Sequence, residues 1–388
     1  MPAAPNKENN GYEIIIIGGG LAGLTAAIML SHAGKRILLL EKGVYPSHKV
    51  CGEYISNEIL PLLKHIGFDP FAHGAMPISR LRISTPSGKN IYPPLGLGGF
   101  GLSRYSFDNA LSELAIRNGC DILTKRKVTE AVFNDGYFTV RTHTGESFTA
   151  ALVIGSYGKR DTLDKQLDRE FIRERTGYLG VKYHIRTDYP IDEIGLDNFE
   201  GGYCGISRVE DDRYNLCYLY RRRHESIYKT IPDIEEHILS KNPVLKKIFS
   251  ESQFLFDKPE VINDFSFAPK NLIENHILMC GDTAGLITPL CGNGMSMAIH
   301  AAKILCDLIL KLNISSGGNI TAGKRQQLES EYSRLWRENF STRLFWGRRI
   351  QSLFGSAALS EVAIRTLHAF PPVERMLINK THGLPIEV

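Results

Sequence analysis

Ile14-Ile15-Ile16-Ile17-Gly18-Gly19-Gly20-Leu21-Ala22-Gly23 is the stretch on which the fold turns. Four β-branched residues in a row predict a central parallel strand buried on both faces. The Gly18-x-Gly20-x-x-Gly23 pattern follows at once, and Leu24 to His32, rich in Ala and Leu, predicts a helix. Ile37-Leu38-Leu39-Leu40 predicts a second buried strand, with Glu41 at its end. The order strand, glycines, helix, strand, acid is the fingerprint of a dinucleotide-binding α/β fold. Gly18 permits the tight turn, Gly20 lets the backbone approach a pyrophosphate, and Gly23 lets the helix pack close on the strand. The helix N-terminus offers N–H groups and partial positive charge to phosphates. Glu41 is placed to accept from ribose hydroxyls.

The same stretch raises and then removes a membrane reading. Ile14 to Ser31 carries no charged residue and is long enough to span a bilayer. Four glycines clustered behind the isoleucines fit strand, turn and buried helix instead. Working outward, 388 residues suit two interleaved domains rather than one core. A hydrophobic content of 43% with 23% charged residues is globular, and a net charge of +4 is too mild for a nucleic-acid binder. The seven cysteines form no Cys-x-x-Cys pair and their count is odd, which points away from a disulfide framework or zinc site and towards a reducing, cytoplasmic setting. No metal is expected. Residues 1–10 are polar and predict a disordered leader without signal-peptide character. The sequons at Asn313 and Asn319 are therefore read as unused.

Later blocks choose the cofactor. Cys280-Gly281-Asp282-Thr283-Ala284-Gly285 follows the apolar His276-Ile277-Leu278-Met279. Pro289 and then Gly292-Asn293-Gly294-Met295 precede an Ala-rich predicted helix, Ser296 to Leu312. A Gly-Asp at a strand end suits ribityl hydroxyls, and a Gly-Asn-Gly turn opening a helix suits the pyrimidine edge of a flavin. With Lys49-Val50-Cys51-Gly52-Glu53 and Arg104-x-x-x-Asp108-x-x-Leu111, these blocks resemble the FAD-dependent monooxygenase and geranylgeranyl reductase superfamily, which has the glutathione-reductase-type FAD fold. The resemblance runs from about Tyr12 to Leu312 and rests on the order of its blocks. It implies FAD held by Gly18, Gly20, Leu21, Ala22, Gly23, Glu41, Lys42, Cys51, Gly52, Arg104, Val128, Gly281, Asp282, Gly292, Asn293, Gly294 and Met295. It also places Cys51 near the flavin ring, as a catalytic proton donor.

Departures from the family pattern matter as much. Gly155-Ser156-Tyr157-Gly158-Lys159-Arg160-Asp161 has Tyr157 where the family carries Asp and Asp161 where it often carries Ser. The electron donor therefore stays open between NAD(P)H and a separate electron-donor protein. Gly285 stands where aromatic hydroxylases often have His, as in geranylgeranyl reductases. Trp336 and Trp346 are the only tryptophans and form no Trp-x-Trp block, which argues against halogenation. Gly202-Tyr203-Cys204-Gly205-Ile206-Ser207 keeps the start of the reductases' lipid-site block and loses its aromatic residues.

The remaining chain predicts hairpins at Leu81 to Pro93 and Tyr137 to Ala150. Tyr178 to Thr187, Gly202 to Val209 and Tyr214 to Arg222 predict a separate antiparallel sheet over the flavin. Tyr214, Leu216, Tyr218 and Tyr220 share one face; sheet packing accounts for most of this row, with one or two tyrosines expected in the pocket. After Gly317-Gly318 an amphipathic helical tail carries Leu335, Trp336, Phe340, Leu344, Phe345, Ile350, Leu353 and Phe354 among Arg334, Arg337, Arg343, Arg348 and Arg349. Packing on the body is the favoured reading, with peripheral membrane contact as the lesser one.

The expected architecture is α/β: a Rossmann-like FAD-binding domain (residues 11–80, 101–165 and 265–315) interleaved with an antiparallel-sheet substrate domain (81–100 and 166–264), plus C-terminal helices (316–388). The resemblance implies an FAD-dependent oxidoreductase. The leading reading is a monooxygenase that uses O2 on an apolar aromatic, polyketide-like or lipid-like small molecule. The alternative is a carbon–carbon double-bond reductase of the geranylgeranyl reductase type.

Overall fold

Gly11–Ile17 lies at the middle of a parallel sheet, with Ser147–Gly155 on one side and Ile37–Leu40 on the other. Ile14, Ile15 and Ile16 are fully buried, as a strand covered on both faces requires. Asp121–Leu123 extends the sheet beyond Ile37–Leu40, and Ile277–Met279 and Ile273–Glu274 extend it beyond Ser147–Gly155. Val128–Asn134 and Tyr137–Thr142 complete an antiparallel meander with Ser147–Gly155, and the expected turn at Thr144-Gly145-Glu146 is closed by the Thr142 N–H donating to the Glu146 carbonyl. This computed structural model describes residues 11–174, 176–222, 227–286, 292–314, 320–353, 357–369 and 383–388. The expected leader lies outside them, as do Pro289, Gly317, Gly318, Asn319 and Phe354 and the side chain of Leu353.

The glycine-loop helix, Leu21–His32, buries Leu24, Ala26, Ala27 and Leu30 against this sheet and against the helix Gly294–Lys311. Its small residues allow that close approach. The second helix begins two residues before the predicted Ser296, because Gly294 already adopts helical geometry behind Asn293.

A second eight-stranded sheet runs Gln253–Phe254, Tyr178–Arg186, Tyr214–Arg221, Gly202–Arg208, Glu193–Phe199, Arg80–Ser84 and Asn90–Ile91, with Glu260–Asn263 also on Tyr178–Arg186. The three predicted strands are present. Glu193–Phe199 was not expected; it lacks apolar alternation and carries Asp197 and Asn198 inward, held by Arg82 and Ser84. It pairs in parallel with Arg80–Ser84 and so stitches the first predicted hairpin into this sheet.

Register corrects the tyrosine row. Tyr214, Leu216, Tyr218 and Tyr220 stand opposite Ile185, Tyr183, Val181 and Leu179. All eight pack into one cluster with Ile234, Ile238, Leu245 and Ile248 of the helices behind the sheet. Side chains alternate across a strand, so the other face presents Gly180, Lys182 and His184 beside Leu219, Cys217 and Asn215. No tyrosine of that row faces the glycine-loop domain. In the tail, one helix spans Ala322–Leu353, with Trp336, Phe340 and Leu344 buried on the body of the protein and Phe345 exposed. Among the described residues, no helix is long and apolar enough to cross a membrane.

Candidate active site

The site grows from the turn between the first strand and its helix. Gly18 has φ of +101°, a left-handed conformation that a side chain would strain, and a Cβ there would sit 2.5 Å from the Ser156 carbonyl oxygen. A Cβ on Gly23 would strike the Gly18 carbonyl oxygen and the Ser156 hydroxyl. Gly20 differs: only the Arg104 guanidinium, 3.6 Å away, lies near its Cβ position. Among the described residues no side chain caps the helix behind Gly20, so its first-turn N–H groups are available to an anion. The Glu41 carboxylate accepts from the Gly19 and Gly43 N–H groups, both at 2.7 Å, and fixes the loop above the helix. Tyr45 donates to the Gly19 carbonyl at 2.6 Å. Arg126 N–H donates to the Glu41 carbonyl, which ties the start of the Val128 strand to the same corner. Leu21, Ala22 and Val128 are buried there.

Distant blocks converge on this loop. Gly281, at φ +65°, would place a Cβ 2.9 Å from that of Ala22, so the Gly281-Asp282 turn lies against the first helix. The Asp282 carbonyl accepts from Lys270, whose ammonium burial lowers to about 8. The Asp282 carboxylate makes no hydrogen bond or ion pair among the described residues. Gly292, also at positive φ, packs on the Tyr54 ring, and Asn293 precedes the helix that starts at Gly294 and buries Met295. Arg104 forms a two-bond ion pair with Asp108, at 2.6 and 2.7 Å. Two further side chains have partners within the protein. Lys42 pairs with Asp161 at 2.6 Å. Tyr157 is buried and donates to Asp164 at 3.1 Å, so the family's acid is replaced by a core side chain. Cys291 lies outside the described residues.

Glu53, which closes the Lys49–Glu53 block, has no role that the sequence pattern assigns. It sits at φ +52° and is fully buried. Its carboxylate accepts from the Arg104 N–H at 2.7 Å and from Lys182 at 2.5 Å, and bonds His184 Nε2 at 2.7 Å. Burial alone would raise this carboxyl; Lys182 and His184 outweigh it and hold the group down to about 2. His48 packs against the His184 and Phe256 rings, and burial, helped by Lys182, lowers its imidazole to about 4. The clue was there in part: Lys182 and His184 occupy alternate positions on a strand whose other face carries Leu179, Val181, Tyr183 and Ile185. Their partner, more than a hundred positions upstream, is visible only in three dimensions.

Cys51 is half-buried beside this network. Its carbonyl accepts from Asn215 at 3.1 Å, and its thiol lies within electrostatic reach of Arg104 and Cys217. The preceding Val50 packs beneath Gly180 of the second sheet. Next to that contact lies an apolar cluster of Tyr203, Leu219, Phe265, Phe267 and Leu286, joined by Tyr178 and Ile262. Lys159 stands over the Phe265 ring. A loop carrying one thiol thus meets an aromatic wall between the two sheets.

Comparison with known proteins identifies the loop's ligand. The model of the FAD binding domain matches residues 11–317. The chain belongs to the FAD binding domain family. This flavoprotein is an FAD-dependent oxidoreductase. It is 26% identical to a digeranylgeranylglycerophospholipid reductase of Methanosarcina acetivorans, over 84% of this chain and 81% of that one. It is also 26% identical to the FAD-dependent monooxygenase atnA of Arthrinium sp, over 82% of this chain and 47% of that longer protein. Among solved structures, the flavin-dependent brominase Bmp2 superposes with a TM-score of 0.76 at 16% identity, covering 97% of this chain and 94% of the other. A geranylgeranyl bacteriochlorophyll reductase-like protein of Thermoplasma acidophilum gives 0.72 at 18%, covering 96% and 92%. At such identities the structural likeness establishes the fold.

The residues present fit FAD. An uncapped helix behind a side-chain-free Gly20, an Asp282 carboxylate without a protein partner among the described residues, and Glu41 locked at the strand end supply the donors and acceptors of a dinucleotide.

Proposed function

We propose that this flavoprotein is a monooxygenase acting on an apolar aromatic, polyketide-like or lipid-like small molecule, with O2 as co-substrate. The observation that carries the reading is the apolar wall of Tyr203, Leu219, Phe265 and Phe267 beside the Val50–Cys51 loop. Such a wall binds an apolar ring and keeps water from the reacting atoms. Bound FAD supplies the redox chemistry there. Gly18, Gly20, Gly23, Glu41, Arg104, Asp282 and Asn293 hold it, and residues 81–100 and 166–264 form the substrate side. Six cysteines among the described residues are free thiols, in keeping with a cytoplasmic setting.

A second reading has its own observation. The Cys51 thiol is set beside a buried Glu53–Lys182–His184 network, as a proton donor for saturation of a carbon–carbon double bond would be. The named reductase of Methanosarcina acetivorans aligns over most of its length. Product analysis separates the two. Purified holoprotein is given NADH or NADPH together with a panel of naphthols, anthraquinols and isoprenoid lipids, in air and without oxygen. Oxygenated product carrying label from 18O2 is the expected result. A saturated product formed without oxygen would replace this reading with the reductase. Stopped-flow absorbance of the same mixtures tests the donor. Because Tyr157 stands in the core where the family has an acid, reduction by NAD(P)H is expected to be slow without substrate and faster with it; fast reduction in its absence would show that the change is harmless.

A further inference from the structure

A cleft of about 360 Å3 lies between the long C-terminal helix and residues 268–273, behind the Gly281–Gly285 turn. Its lining is one-sided in charge. Arg337 and Arg348 enter from the helix and Lys270 stands on the opposite wall, and among the described residues no aspartate or glutamate lines it. Its floor is apolar, made by Trp336, Leu344 and Leu286. Arginines elsewhere on the helix are occupied. Arg334 pairs with Glu331 and Glu338, Arg343 pairs with Glu58, and Arg325 donates to backbone carbonyls. Arg337 and Arg348 have no such partner among the described residues. They are eleven positions apart, about three helical turns, and so share one face.

Lys270 already donates to the Lys159 and Asp282 carbonyls, so two unpartnered guanidiniums over an apolar floor define the ligand class. A carboxylate would neutralise one of the two. A phosphate ester carries about −1.5 to −2 charge at neutral pH and presents oxygens that match guanidinium forks. The volume falls at the lower end for small-molecule sites, which span roughly 300–1,000 Å3.

The geometry points to a second ligand site in this cleft, which takes an organic phosphate: its charged head on Arg337 and Arg348, its less polar body on Trp336 and Leu286. The cleft lies behind the turn that carries Asp282 and adjoins the substrate wall, with which it shares Leu286. Lys270 links the two, donating to the Asp282 carbonyl at 2.8 Å. Two sources share this chemistry: the adenosine phosphate end of a nicotinamide dinucleotide, and a phosphorylated lipid.

Calorimetric titration of the oxidised holoprotein tests the site without turnover, so its result is independent of the reaction assigned above. The probes are 2′,5′-ADP, a lysophosphatidate below its micellar concentration, inorganic pyrophosphate, and decanoate as the carboxylate control. At least one organic phosphate is expected to bind more tightly than decanoate, and Arg337→Glu with Arg348→Glu is expected to weaken it at least tenfold. The flavin absorbance and melting temperature of the variant report that the fold is kept; Arg337→Gln with Arg348→Gln serves if charge reversal disturbs it. Preference for 2′,5′-ADP assigns the dinucleotide source, and preference for the lysophosphatidate the lipid source. Absence of millimolar binding, binding unchanged in the variants, or decanoate binding as tightly as the phosphates would overturn the proposal.

Discussion

Glycines that look alike in the Gly18–Gly23 motif do different work, and substitution separates them. A side chain on Gly23 collides with the Gly18 carbonyl, so Gly23→Ala is expected to destabilise the chain by about 1–3 kcal/mol with or without cofactor. Gly20 has only the Arg104 guanidinium nearby, so Gly20→Val is expected to fold normally and to purify colourless, because the added side chain occupies the path of the pyrophosphate. Circular dichroism and the ratio of flavin to protein absorbance check both; a yellow Gly20→Val protein would refute the assignment. Glu53 presents the opposite case, a charge that the interior depends on. Glu53→Gln leaves Lys182 buried without its counter-charge, at a cost of about 3–5 kcal/mol in urea unfolding. The sign of its pH dependence follows from a folded value near 2 against an ordinary 4.5. The stabilisation, about 3 kcal/mol, is present above the ordinary value and is lost as pH falls from 4.5 towards 2. Stability of the glutamine variant measured across that window is expected to be flatter than wild type.

Helix pairing supplies a different acid sensitivity. The helix Gly294–Lys311 sets His300 edge-on to Phe340 of the long C-terminal helix, with ring centroids 5.3 Å apart. Burial first, then Arg343 and Lys303, lowers its imidazole to about 4. His300 is therefore neutral when folded, while the unfolded chain takes up a proton below its ordinary 6.5. Stability falls as pH drops from 6.5 to 4, by about 2–3 kcal/mol from this residue. His300→Gln is expected to reduce that slope in pH-dependent thermal melts; His48, lowered in the same window, accounts for part of what remains. The tail helix is anchored at the same junction. Trp336 packs on Phe340 and fills the space above Gly285. Its apolar stripe is thus used within the molecule, as the sequence periodicity favoured.

At the scale of the whole chain, the blocks assigned to FAD run from Gly18 to Met295 and connect both sheets through Glu53, Lys182 and Asn215. A ligand that binds only the folded arrangement stabilises all of it, by about 2.7 kcal/mol at a hundred times Kd. Apo protein titrated with FAD is expected to melt about 3 °C higher under those conditions, as read by scanning calorimetry; a melting point indifferent to FAD would count against this assignment. The parallel strands, the glycine turn, its helix and the Gly-Asp and Gly-Asn-Gly blocks were legible in the sequence, because each is a local pattern whose chemistry is complete within a dozen residues. Ile14–Ile17 has to be a buried strand, and Gly18 has to be glycine, wherever the rest of the chain goes. What tertiary structure alone decided depends on pairings across long separations. Alternation put Tyr214, Tyr218 and Tyr220 on one face but did not say which face meets the flavin domain; the helices at Ile231–His237 and Pro243–Glu251 claimed that side. Glu193–Phe199 became a strand because Arg80–Ser84 offered it backbone partners and Arg82 a counter-charge for Asp197. Glu53 became the hub of the interior only once strand register brought Lys182 and His184 over it, since a buried charge is stable solely beside partners that the chain supplies from elsewhere.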